Sequence, residues 1–364
     1  MPKFEKAIIV FLTAFMLMCF IPAALAGETV NDEGLTIEQA IEKALSYSKT
    51  LQQADLDIEK AEVQRDSLAD TVKFIPLEAS GSAEADQAYT ALVSADISWS
   101  MTKKTKDINE DKIALSAFSA YIDVLKAQEN LQYYQEALSK AQTEWKVANI
   151  KYQQGLISSL EKSSADVQYL SAQKAVSSAE DQLTTAYQAL NKLIGSRVDD
   201  RLILSQKPAY QQLVIDELEA AVNRAVDANP SIWLAGQNID LAKLQLSLFD
   251  WTSGNSNSYR ASEITIEKAE LSAVEARSEL RQAVRNIYYN ILALEISYTM
   301  QEEAVKLAED NLRVKTLMNS VGMATKLDIQ TAELDLQKAR YDLDAIVYQH
   351  EYLKLVFEKP WAAM

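Results

Sequence analysis

The sequence predicts a mainly α fold: a duplicated bundle of long helices carrying one clear and one truncated β-hairpin. Three observations lead there. The chain has 364 residues but only 8 glycines and 6 prolines, so few positions favour a turn and long elements are expected. Stripes of apolar and small residues step by three and four through most of it. Two stretches of this pattern also superpose on one another at a fixed offset, the mark of a duplicated unit rather than two unrelated domains.

The N-terminus reads as an export signal over residues 1–26. Lys3 and Lys6 form a basic start, Ala7 to Phe20 an apolar stretch, and Ala24-Leu25-Ala26 a small-residue cleavage site before Gly27. The apolar stretch is short for a bilayer span, and Pro22 follows it. Cys19, the single cysteine, lies inside this leader. Met18 precedes it where a lipoprotein signal carries a small residue, so lipidation is not expected. The mature chain would then hold no disulfide, thiol nucleophile or thiolate metal site. Losing Lys3, Glu5 and Lys6 takes the formal net charge from −16 to −17. Such a chain repels phosphate backbones, which argues against a nucleic-acid partner. No apolar run long enough for a spanning helix follows the leader, so entry into a membrane would require strands.

The duplication accounts for most of the remainder. Ala40, Ile41, Ala44, Ala54, Ile58 and Ala61 match Ala221, Val222, Ala225, Ala235, Ile239 and Ala242 at an offset of 181. Further on, Tyr121, Leu125, Gly155, Leu160 and Ala172 match Tyr288, Leu292, Gly322, Leu327 and Ala339 at an offset of 167. The second copy has therefore lost 14 residues between Val63 and Tyr121 of the first. Each copy reads as a first helix (27–71 and 216–249), an insert (72–102 and 250–265) and a long helical hairpin (103–195 and 266–358). Residues 196–215 link the copies, and 359–364 form a tail.

Helix starts are written in the sequence. Ser158 followed by Glu161, and Thr325 followed by Asp328, are capping boxes just beyond Gly155 and Gly322, each glycine able to end a helix left-handed. Thr36 to Gln39 and Asp216 to Glu219 show the same signal. Over Ala91–Met101 the period changes. Val93, Ala95, Ile97, Trp99 and Met101 face one way and Ser94, Asp96, Ser98 and Ser100 the other, which predicts a membrane strand with Trp99 at the interface. Leu77, Ala79 and Gly81 offer a weaker hairpin partner. A surface hairpin on a soluble sheet is the competing reading. Ser253 to Ser258 in the second copy is turn material, too short for two crossing strands.

No phosphate loop, nucleophile motif or metal-ligand cluster is present, so neither catalytic nor metal residues nor cofactors are expected. His350, the sole histidine, matches Leu183 in a heptad stripe and is expected as a packed seam residue.

On the leader, the duplicated order of elements, and the segments Tyr152-Gln153-Gln154-Gly155-Leu156 and Ser320-Val321-Gly322-Met323, the chain resembles the TolC-like outer-membrane efflux family. The resemblance implies a homotrimer whose helices form a shared periplasmic tube and whose strands enter outer-membrane lipid. It also implies export with a periplasmic adaptor (membrane-fusion) protein and an inner-membrane pump, in efflux or type I secretion. By position, Gly155, Leu156, Val321, Gly322 and Met323 fall on the adaptor-docking tips. Glu161 and Asp328 fall on acids that ring the periplasmic aperture and would make it cation-selective. A second family acid is Thr331 here, and the family's gating tyrosine and arginine are Asn319 and Ala324. The alternative function is an exported coiled-coil spacer of the envelope without an open pore.

Overall fold

The computed structural model describes residues 34–73, 75, 82–249 and 256–363. The expected leader, the strand at Leu77–Gly81 and the turn material at 250–255 lie outside them. From Leu35 onward the chain forms one compact unit. Its elements are α1 (Ile37–Tyr47), α2 (Lys49–Ala69), α3 (Ala83–Gln153), α4 (Ser159–Ile194), α5 (Leu218–Asp227), α6 (Pro230–Ser247), α7 (Ser256–Ser320) and α8 (Lys326–Glu358), followed by a single turn at Pro360–Ala362. At 71 residues, α3 runs roughly 105 Å.

The two offsets reappear in the element boundaries. α1 and α2 start 181 residues before α5 and α6, and α3 ends, like α4 starts, 167 residues before its counterpart. The 14 missing residues come partly from the α2–α3 connection and partly from the helix ends beside it, since α6 and α7 are shorter than α2 and α3. The second copy therefore has a shorter helical hairpin at this end.

The expected hairpin is corrected here. Val93, Ala95, Ile97, Trp99 and Met101 all lie within α3, and residues 256–265 of the truncated hairpin lie within α7. Among the described residues, the β structure is one parallel bridge, Leu35 to Leu204. The alternation misled because α3 has neighbours on two sides. Tyr89, Val93, Ile97 and Ser100, at helical spacing, line a cleft against Gln237, Leu241 and Leu244 of α6. Ala91, Ala95 and Ser98 line another against Ala61, Gln64 and Leu68 of α2. A helix covered on two flanks loses its single apolar stripe, and its sequence no longer shows a clean period of 3.6. Trp99 meets cations: Lys103 Nζ lies 3.0 Å and Arg65 5.8 Å from its ring centre.

Among the described residues the core has two clusters, each centred on one copy. The first joins Ala40, Ala44, Phe118, Tyr121, Val124 and Leu190 across α1, α3 and α4. The second joins Val222, Val226, Leu280, Val284 and Ile291 across α5 and α7, with Phe357 of α8. The linker after Gly195 is strapped over both. Gln206 N donates to Tyr121 Oη at 3.2 Å, and the Tyr121 hydroxyl donates to the Leu35 and Gln206 carbonyls at 2.8 and 3.0 Å. Further along, the Tyr210 ring stacks on Tyr298 at 3.8 Å, and Leu213 N donates to Glu295 at 2.8 Å.

His350 closes the second half of this strap. It is fully buried in α8, with Nε2 3.3 Å from Glu295 of α7 and Nδ1 3.0 Å from Glu351. Glu351 also accepts from Gln211 N, and Lys354 donates to the Gln211 carbonyl. The seam position expected for His350 is what the structure shows, but one of the two carboxylates beside it, Glu295, comes from a helix the sequence does not connect locally.

Candidate functional site

The two hairpin tips are built alike. α3 ends in a left-handed Gly155 at φ 71° and α7 in Gly322 at φ 76°. In both, the residue after the glycine donates five residues back, Leu156 N to Lys151 O and Met323 N to Met318 O, each at 2.8 Å. The glycine itself donates to Tyr152 O or Asn319 O, so the last carbonyls of each helix are satisfied. A Cβ at either glycine would meet nothing, whereas at the left-handed Gly195 it would overlap the Tyr47 ring. The tip glycines therefore answer to backbone conformation alone, and Gly195 to close packing as well.

Both restarts are full capping boxes. Glu161 accepts from Ser158 N at 2.7 Å and from the Ser158 hydroxyl at 2.9 Å, while Glu161 N donates to Ser158 Oγ. Asp328 repeats the arrangement on Thr325, with both contacts at 2.7 Å. The backbone N–H of Ser158 holds the Glu161 carboxyl below its usual range, and that of Thr325 does the same for Asp328. Since the folded values are lowered, the caps contribute fully above the ordinary carboxylate pKa. Their contribution fades as pH falls through the lowered ones. Thr36 and Gln39 form a third box. The fourth expected box does not form. α5 is preceded by Glu217 without a side-chain cap, and Glu219 instead takes a two-pronged contact from Arg285 of α7, at 3.0 and 2.7 Å. An ionised fork across two helices outcompetes a single local hydrogen bond.

What the tips present outward is apolar. Leu156, Leu160, Val321 and Met323 are all more than two-thirds exposed. Asn319 Nδ2 donates across the second tip to the Ala324 carbonyl at 2.8 Å, so these two residues are joined although neither carries a charge. Thr331, standing where an acid was sought, donates to Leu327 O within its own helix. Near the first tip, α3 and α4 are tied by Trp145, which donates to Asp166 at 2.8 Å and stacks on Tyr169. Sequence reasoning passed over that tie because its partners are 21 and 24 residues apart on separate helices.

Fold and tips together define an architecture: a duplicated chain of long helical hairpins. Two solved structures share the fold. CusC, from work describing folding and transmembrane channel formation, superposes with a TM-score of 0.67 at 13% identity, covering 94% of this chain and 96% of that one. The outer membrane protein VceC of Vibrio cholerae superposes at 0.62 with 16% identity, covering 90% and 95%.

In sequence, residues 112–196, spanning the lower part of α3, the first tip and α4, match the outer membrane efflux protein family. Over 136 residues the chain is 24% identical to outer membrane protein TolC of Vibrio cholerae, covering 37% of this chain. That match spans about a third (31%) of the curated relative's length. Residues 112–196 thus match the efflux family that the tips and repeats resembled, and the fold is matched over most of the chain.

Proposed function

We propose that this chain is the duct subunit of an outer-membrane efflux or type I secretion assembly, a homotrimer that conducts passively and works with a periplasmic adaptor and an inner-membrane pump. One observation carries the reading. On α7, Ile291, Tyr298, Val305 and Leu312, spaced by seven, are buried or half-buried. Two residues further round, about 200° away, stand Met300, Leu307 and Val314, in line with Tyr289 and Ile296 and between 48% and 72% exposed. A heptad stripe left bare over such a length needs a cover, and a neighbouring copy supplies one that repeats around a closed ring. The exposed apolar tips Leu156 and Met323 and the glycines beside them support adaptor docking. The likeness in fold to channel proteins and the efflux-family match support the duct.

The test is sedimentation of the purified protein. The expected result is a trimer at micromolar concentration that Met300→Asp with Leu307→Asp breaks to monomers of unchanged helicity. Each charge placed in an apolar seam weakens association roughly tenfold or more. A wild-type monomer at that concentration would sink the duct reading.

Glu161 and Asp328 are proposed to ring the tube's mouth, three copies of each, and to favour cations there. Converging carboxylates repel, so the melting temperature of the trimer should rise with added salt. Glu161→Gln with Asp328→Asn keeps an acceptor for each cap and removes the charge, so that rise should disappear. If parent and variant respond to salt alike, the acids cap their helices and do nothing further.

A further inference from the structure

We infer that residues 35–363 do not cross a bilayer: this part of the duct stops at the membrane, and the crossing itself is built outside these residues. The inference rests on the duct reading and concerns the end opposite the tips.

At that end α2 turns into α3 through residues 70–82, and α6 into α7 through residues 248–255. A connection must go out and come back. Fully extended, with nothing given to a turn, the first reaches about 22 Å and the second about 14 Å. The hydrocarbon core is about 30 Å thick, and each barrel strand needs about 9–11 residues. Neither connection can hold two such strands, however it is folded. The limit is one of chain length alone.

The helices beside these connections do not make up the difference. Among the described residues, no helix is long and apolar enough to cross a membrane. Their outer turns carry water-facing charge in both copies. Arg65 bridges Asp66 and Asp96, Lys243 bridges Glu270, and Arg260 bridges Glu263, with most of these side chains 36–62% exposed. Charged side chains of this kind are costly to expose to a hydrocarbon layer. α2, α3, α6 and α7 therefore end in water. Only helices and closed barrels span membranes, so a continuous path outward requires a barrel built outside residues 35–363, against which this helical end abuts.

Membrane-impermeant maleimide labelling of cells expressing the full chain tests this. The leader cysteine is first removed as Cys19→Ala, leaving no other thiol. Single cysteines are then placed by Ile75→Cys, 65% exposed beside the first connection, and by Asn257→Cys, exposed beside the second. Val214→Cys, 83% exposed on the linker, is the control. The expected result is that all three stay unlabelled in intact cells and label together once the outer membrane is permeabilised. Alkaline carbonate should then release the protein without detergent.

Labelling of Ile75→Cys or Asn257→Cys in intact cells, with Val214→Cys silent, places this end outside and overturns the inference while leaving the duct intact. Labelling of all three only after the inner membrane is broken overturns export, and with it both readings. Retention in the carbonate pellet until detergent is added also overturns the inference.

Discussion

Tyr121→Ala is expected to cost about 3–5 kcal/mol, because it empties a fully buried aromatic site and strands the Gln206 N–H and carbonyl, the Leu35 carbonyl keeping Ser205 N. The hydroxyl of Tyr121 is the knot between three segments distant in sequence: the residue before α1, the middle of α3 and the linker. Tyr121→Phe keeps the ring and isolates the polar part. It leaves the Leu35 and Gln206 carbonyls and the Gln206 N–H without this partner, for about 1–3 kcal/mol. The matched residue in copy two, Tyr288, is half-buried beside Phe357, and its hydroxyl holds no backbone group among the described residues. Tyr288→Phe should therefore change stability by no more than about 0.5 kcal/mol. Thermal melts followed by circular dichroism rank the three variants. Faster amide exchange at Gln206 in Tyr121→Phe would locate the loss in the strap. Equal melting of Tyr121→Phe and Tyr288→Phe would show that the knot contributes nothing.

His350→Leu has the second large effect expected, about 3 kcal/mol, since it removes the buried ring that faces Glu295 and Glu351 together. Glu295 is 8% exposed and would keep only its contacts to Gln212 and Leu213. Copy one contains its own control. The positions matching His350 and Glu295 there are Leu183 and Gln128, an apolar side chain and a neutral one, and Gln128 donates to Tyr187. Adding Glu295→Gln to His350→Leu reproduces that pairing in copy two. An amide can still accept from Leu213 N without a buried charge. The double variant should recover at least half of the loss, a coupling that a double-mutant cycle measures directly. If the double variant is less stable than His350→Leu alone, the carboxylate has a role beyond answering the histidine.

These two residues show where sequence reasoning reaches and where it stops. That Tyr121 and Tyr288 correspond was visible from the offset; that one ties the strap and the other only packs was not. His350 was legible as a seam residue, because a histidine in a heptad stripe has nowhere else to go. Its partner Glu295 was not, because it lies 55 residues away on another helix.

The division has a physical basis. The sequence by itself determined the duplication, the long helices, the left-handed glycines at 155 and 322 and three of four capping boxes. The glycines and the caps are each decided within about five residues by backbone geometry and short side chains, so the information sits where it acts. Only the tertiary structure decided that Ala91–Met101 is helix rather than strand, because α2 and α6 cover opposite flanks of α3 and remove the pattern that would have announced it. It likewise decided that Glu219 pairs with Arg285 instead of capping α5. Both outcomes turn on neighbours brought close by packing, and a periodicity read along one segment carries no record of what packs across it.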